Sequence, residues 1–265
     1  EKLLMQRHPF HLVKPSFWPF FTSLSFFFFA LSFVGYMHFF CSFFVFFMFF
    51  LSLLLCFLFW FMDVIFESTY QGYHTRAVQR GLRIGVILFI VSEVMFFFAF
   101  FWAFFHSSLS PSIQIGCVWP PAGIVPFSPW RIPLLNTIIL LVSGMAITAA
   151  HYYLVLGDGD DVYELYLYTL GLAVLFTLLQ LYEYRYASFD ISDGIYGSTF
   201  FMTTGLHGFH VLAGTIAIFI SFLRTCFFDH FTREHHIGFE SAVWYWHFVD
   251  VVWLFLFVAV YWWGG

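Results

Sequence analysis

Seven long apolar stretches decide what this chain can become. They run over roughly residues 16–37, 40–62, 81–106, 132–156, 162–186, 194–223 and 239–263. A helix that crosses a bilayer needs about 20 mostly apolar residues, and each stretch meets that length. The segments between them are rich in Gly, Pro, Asp and Ser, which are loop signals: "SSLSPSIQIGCVWPPAGIVPFSPWRIP", "GDGDD", "ASFDISDG" and "DHFTREHHIGFE". Only "GYMHFFCS" hints at a turn between the first two spans. Charged residues make up 9% of the chain and hydrophobic ones 62%, against about 25% and 45–50% in a soluble domain. A water-facing surface cannot be built from so few charges. The expectation is an all-α integral membrane protein, one seven-helix domain over residues 1–265, with no internal repeat.

Seven spans put the two ends on opposite sides. Lys2, Arg7, Lys14, Arg76, Arg80, Arg83, Arg224 and Arg233 fall on the N-terminal side, and only Arg131 and Arg185 on the other. The more basic side faces the cytoplasm or, for a protein made in an organelle, the matrix. Trp18, Trp60, Trp102, Trp130, Trp262 and Trp263 sit near span ends, where indoles anchor in the interface or simply pack. Phenylalanine reaches 44 residues. Helix chemistry does not demand Phe over Leu, so the excess reads as coding bias toward T-rich codons and points to an organelle genome. Cys41, Cys56, Cys117 and Cys226 are far apart, which supports neither a disulfide framework nor zinc or iron–sulfur ligation. No cleavable signal segment is expected.

"ILFIVSEVMFFFAFFW" places Glu93 twelve residues past Gly81 and thirteen before His106, roughly 18 Å into the membrane. An ionised carboxylate there costs about 2.5–3.5 kcal/mol on insertion scales, so a neutral, hydrogen-bonded carboxyl is the expected state. Two readings stand: a proton- or ion-linked site, or a clasp to a neighbouring helix. The sixth span carries "TTGLHGFHVLAG", with His207 and His210 three apart on one face, and Gly205, Gly208 and Gly214 spaced to admit a neighbouring helix. A haem or copper site would need matching ligands at equal depth. His106 and His151 lie near span ends, so the set does not close and no metal is expected. His210 and Glu93 do share a depth, which makes a Glu93–His210 pair possible if their helices pack.

In "WYWHFVDVVWLF", His247 and Asp250 are three apart, with Glu240 and Trp244 on nearly the same stripe. Asp250 lies centrally and must face protein, whether this chain's own bundle or a partner. Arg76, Arg80 and Arg83 recur at i, i+4, i+7 at the mouth of the third span. They either snorkel to the interface or form a strip for anionic lipid. No phosphate-binding glycine loop, nucleophile set or basic tract for nucleic acid is present.

Several segments together carry a resemblance: "HPFHLVKPS", "DVIFESTYQGYHT", "SEVMFFFAFFWAFFHSSL", "PLLNT", "ISDGIYGSTFF", "GLHGFHVLAGT" and "HHIGFESAVWYWHFVDVVWLFLFVAVYWW". In this order, from residue 8 to residue 263, the chain resembles the cytochrome c oxidase subunit III family. The resemblance implies a non-redox core subunit of respiratory complex IV, the enzyme that reduces O2 to water with proton translocation. It implies no catalytic centre in this chain, with haem and copper held by partner subunits and subunit I among its neighbours. It implies a mitochondrial inner-membrane location, N-terminus in the matrix and C-terminus in the intermembrane space. Helices 1–2 would splay from a five-helix bundle, with a lipid-filled cleft between them. Phosphatidylglycerol, phosphatidylethanolamine or cardiolipin would bind there.

Glu93 then falls on the family's buried membrane glutamate, linked to proton uptake, and His207, His210, His247 and Asp250 are the other buried polar groups. Glu67, His74, Arg224 and His230 match head-group positions, to which Arg76 and Arg80 are added from the basic stripe. Met62 and Phe66 stand where the family often has arginines. The acidic stretch "YLVLGDGDDVYELY" has no role implied by the resemblance. Two other classes compete. A secondary transporter would use Glu93 and Asp250 as coupling carboxylates but would show repeats and broken helices. A membrane cytochrome would bind haem through His207 or His210.

Overall fold

The structure, a computed structural model, describes residues 8–265. Lys2 and Arg7 of the charge count lie outside the described residues. Among the described residues there is no strand, and seven helices are long and apolar enough to cross a membrane. They are α1 (Trp18–Met37), α2 (Phe43–Thr69), α3 (Arg76–Leu109), α4 (Ile132–Leu156), α5 (Gly159–Arg185), α6 (Gly194–Cys226) and α7 (Ile237–Leu256). A π-helical run, Phe257–Trp263, continues α7. "GYMHFFCS" is indeed a turn, since the chain leaves helix between Met37 and Phe43.

Two helices run past their apolar spans. α2 takes in residues 63–69 and α3 begins at Arg76, which leaves a short link between them. A helix satisfies its backbone internally, so it can extend beyond the hydrocarbon while polar side chains reach water.

The chain divides into two compact units, one up to Leu82 and one from Arg83 to Gly265. In the first, α1 and α2 form a hairpin held largely by phenylalanine. Phe28 stacks on Phe49 at 5.3 Å, Ser25 and Ser52 hydroxyls meet at 3.1 Å, and Trp18 donates its indole N–H to Asp63 at 2.8 Å.

The second unit is centred on α7, where Trp246, Val249, Trp253 and Leu256 are almost wholly buried. Two indoles on α7 reach across to α4. Trp246 donates to Ser143 Oγ and Trp253 to Thr137 Oγ1, both at 2.9 Å. Those hydroxyls in turn donate to carbonyls of their own helix, Leu140 and Pro133. The same back-bonding occupies Thr169, Thr199, Thr203, Thr204 and Ser221. Hydroxyls in an apolar bundle are thereby satisfied by their own helix and remain free to accept from a neighbour. The turn between α4 and α5 rests on Gly157, whose φ of 85° closes α4 in the left-handed region.

Of the three α6 glycines expected to admit a neighbouring helix, one does so closely. A β-carbon on Gly214 would lie 2.9 Å from the Trp246 ring, whereas one on Gly205 would meet only the Tyr184 hydroxyl at 3.9 Å and one on Gly208 would meet nothing within 4 Å. The spacing located the right helix but could not say which of its faces carries α7. Gly214→Val is expected to cost about 1–3 kcal/mol, because the buried indole cannot move aside. Gly208→Val should stay within about 0.5 kcal/mol of the parent. Thermal unfolding of the two purified variants checks both.

Candidate functional site: buried carboxyl–imidazole pairs

α3 and α6 bring Glu93 and His210 together. His210 Nε2 lies 2.9 Å from Glu93 Oε2, and its Nδ1 lies 2.7 Å from the carbonyl of Leu206, one turn back on α6. A carbonyl can only accept, so Nδ1 carries a hydrogen. In a neutral ring Nε2 is then a lone pair and takes the proton of a carboxylic acid. In a charged ring it donates to a carboxylate. Either way one proton lies between Glu93 and His210. Phe97, whose ring centroid is 4.9 Å from the imidazole, and Phe248 at 6.1 Å screen the pair with hydrocarbon.

α7 builds a second pair at similar depth. Thr148 donates to the Gly144 carbonyl at 2.8 Å, so its oxygen accepts from His247 Nε2 at 2.9 Å. His247 Nδ1 therefore faces Asp250 Oδ2, 3.7 Å away, without a hydrogen of its own unless the ring is charged. Asp250 is 6% exposed and points into the chain's own bundle, where a β-carbon on Gly144 would come within 2.5 Å of its Oδ2. The absent side chain at Gly144 is what leaves room for the carboxyl.

His207 belongs to neither pair. It is 1% exposed, donates Nε2–H to the Val249 carbonyl at 3.2 Å, and packs against Phe176 and Trp253. Both α6 imidazoles are thus committed to helix-to-helix hydrogen bonds. Among the described residues no three His, Cys, Asp or Glu side chains converge as a metal-binding set, and all four cysteines are free.

The head-group candidates occupy helix ends. In the first unit Glu67 lies 3.7 Å from His11 Nε2, His74 gives its carbonyl to Gln79, and Arg76 and Arg80 are exposed at the start of α3. In the second, the Arg224 guanidinium stacks 4.3 Å above the Phe231 ring, and its Nε is buried without an acceptor. His230, in the loop after α6, is held below the usual imidazole range by burial and by the Arg224 charge.

Sequence reasoning missed three contacts. Arg83, third member of the basic stripe, pairs with Glu240 at 2.9 Å, 157 residues away. His151 and His236 meet at 3.0 Å. Asn136, Gln180, Glu183 and Tyr261 form a buried polar chain near the helix ends. Nothing in the local spacing marks these contacts, since each depends on two helices distant in sequence. The acidic turn lines an open cavity of about 570 Å³ with Asp158 and Asp160, opposite Asp229 and Arg233.

Seven membrane-length helices with carboxyls met by imidazole and tyrosine between them define a multi-pass helical membrane protein. The comparisons specify which one. The family described as cytochrome c oxidase subunit III matches residues 8–265. Cytochrome c oxidase subunit 3 of Chondrus crispus is 58% identical over 263 residues, covering 98% of this chain and 96% of that protein. The Marchantia polymorpha protein of the same name is 56% identical, with 98% of each chain covered, and that of Papio hamadryas 51%, covering 98% of this chain and 99% of the relative. The chain belongs to the cytochrome c oxidase subunit III family and is a membrane subunit of the respiratory oxidase, complex IV. The secondary-transporter reading is not favoured.

His210→Leu should leave the Glu93 carboxyl without its partner and lower stability by about 1–3 kcal/mol. The thermal midpoint of the purified complex reads this out, and His210→Gln, which can still hydrogen-bond, should recover part of the loss.

Proposed function

We propose that this subunit supports the catalytic subunit I from the mitochondrial inner membrane and holds no redox centre itself, haem and copper residing in partner subunits. The charge asymmetry supports an N-terminus in the matrix and a C-terminus in the intermembrane space, and the phenylalanine excess supports an organelle gene. The observation that carries the reading is the Glu93–His210 contact with His210 Nδ1 tied to Leu206. It is a fixed one-proton link at mid-membrane depth, suited to keeping a carboxyl ready near a path of proton uptake. His207 and Asp250 are buried beside it while His247, expected with them, is partly exposed, and the role of the three is to orient α6, α7 and α4.

Phospholipid is the second element of this proposal. Arg224, with a buried Nε–H that no acceptor among the described residues meets, suits a phosphate oxygen. His230, kept neutral by its surroundings, would add an N–H rather than a charge. Glu67, His74, Arg76 and Arg80 would meet head groups at the ends of α2 and α3. Phosphatidylglycerol, phosphatidylethanolamine and cardiolipin all present the needed phosphate.

Glu93→Gln is expected to leave assembly and initial O2 turnover largely intact, because an amide replaces the neutral acid in the hydrogen bond. Sustained proton uptake, followed in reconstituted vesicles during turnover, should fall. An immediate collapse of turnover in a fully assembled complex would show that the proton is needed for chemistry itself and overturn the supporting role. Arg224→Gln should reduce the phospholipid retained through purification, counted by mass spectrometry, without loss of haem. Unchanged retention would remove Arg224 from the lipid reading.

A further inference from the structure

The end of the second unit that holds the C-terminus contains a polar chain drawn from three helices. Asn136 comes from the first turns of α4, Gln180 and Glu183 from the last turns of α5, and Tyr261 from the π-helical end of α7. Asn136 Nδ2 donates to Gln180 Oε1 at 3.4 Å, Gln180 Nε2 to the Tyr261 hydroxyl at 3.4 Å, and that hydroxyl to Glu183 Oε2 at 3.0 Å. Every donor in the chain points toward the carboxyl. Asn136 is 0% exposed and Glu183 2%.

The accounting does not close within the protein. Glu183 Oε1 and Asn136 Oδ1 are both buried without a hydrogen-bond partner. Among the described residues Glu183 makes no ion pair with a Lys, Arg or His, so it lacks the imidazole that faces Glu93 and Asp250. A carboxylate buried this deeply with a single hydrogen bond is not tolerated unless its charge is matched. The oxygen-only donor set, one carboxyl, two amide oxygens and a phenol, is the kind that hard cations take, and offers nothing to soft metals.

We propose that Asn136, Gln180, Glu183 and Tyr261 form a binding site for one monovalent positive charge, a proton or a sodium ion, seated at Glu183 Oε1. As a proton it makes Glu183 a carboxylic acid whose O–H is directed to an amide oxygen. As sodium it bridges Oε1 and the Asn136 carbonyl oxygen. Both close the two open acceptors, and both leave the α4, α5 and α7 ends joined through a neutral cluster.

The test is infrared difference spectroscopy on the assembled oxidase, parent against Glu183→Gln, at neutral pH in choline chloride and in sodium chloride. A protonated-carboxyl carbonyl band lost in the variant in both media identifies the charge as a proton. A carboxylate band in sodium that becomes a protonated-carboxyl band in choline identifies it as sodium. Carboxylate bands that are the same in both media overturn the proposal, since Glu183 would then be ionised with nothing bound. Where Glu183→Gln does not assemble, Tyr261→Phe keeps the carboxyl and removes one hydrogen bond to it. The protonated carbonyl band should then move to higher frequency, in choline at least. A difference confined to carboxylate bands in both media overturns the site by this route as well.

Discussion

A polar group surrounded by hydrocarbon has no water to fall back on, so each one in this chain must be answered by another part of the protein. The second unit is arranged around that requirement. Its most buried helix, α7, offers two indole N–H groups, a backbone carbonyl at Val249 and, from the π-helical run that continues it, a phenol, each met from α4, α5 or α6, while its Asp250 carboxyl faces His247 of the same helix. Packing of the large aromatic side chains follows the same contacts, because the Trp246 and Trp253 rings lie where their N–H groups find hydroxyls. Dispersion supplies the bulk of the attraction between the helices, while hydrogen bonds select which faces meet.

The two carboxyl–imidazole pairs solve one electrostatic problem in the same manner. In each, the nitrogen of histidine that does not face the acid is already giving its hydrogen away, to Leu206 in one case and Thr148 in the other. This fixes the tautomer in both pairs; at 2.9 Å the Glu93–His210 contact shares one proton, whereas His247 and Asp250 stand 3.7 Å apart.

The number and order of helices were legible because length and apolarity are properties of a single segment. Glu93 and His210 could be matched because depth can be counted along each helix from its inner end. Facing directions could not be counted. Gly205 and Gly208 were grouped with Gly214 as admitting a neighbouring helix although only Gly214 lies tight against one, and Arg83 was read with Arg76 and Arg80 as one stripe although it turns to Glu240. Glu183, between Tyr182 and Tyr184 two residues from the end of α5, was not singled out from the sequence. Its burial comes from the end of α7 folding over it, which no window on α5 can reveal.

The π-helical stretch from Phe257 to Trp263 winds wider than the helix it continues. It buries three neighbours in succession, Ala259, Val260 and Tyr261, and lets Trp119 reach the Gly264 carbonyl at 3.2 Å. Tyr261 apart, its side chains can be exchanged for others of similar volume, but the tally of residues between Leu256 and Gly264 cannot change. Deleting one would tighten the coil, swing the phenol away from α5 and pull the tail off its indole anchor. Beyond that one phenol, the run from Phe257 to Trp263 therefore works as a measured spacer, tolerant of spelling and intolerant of frame.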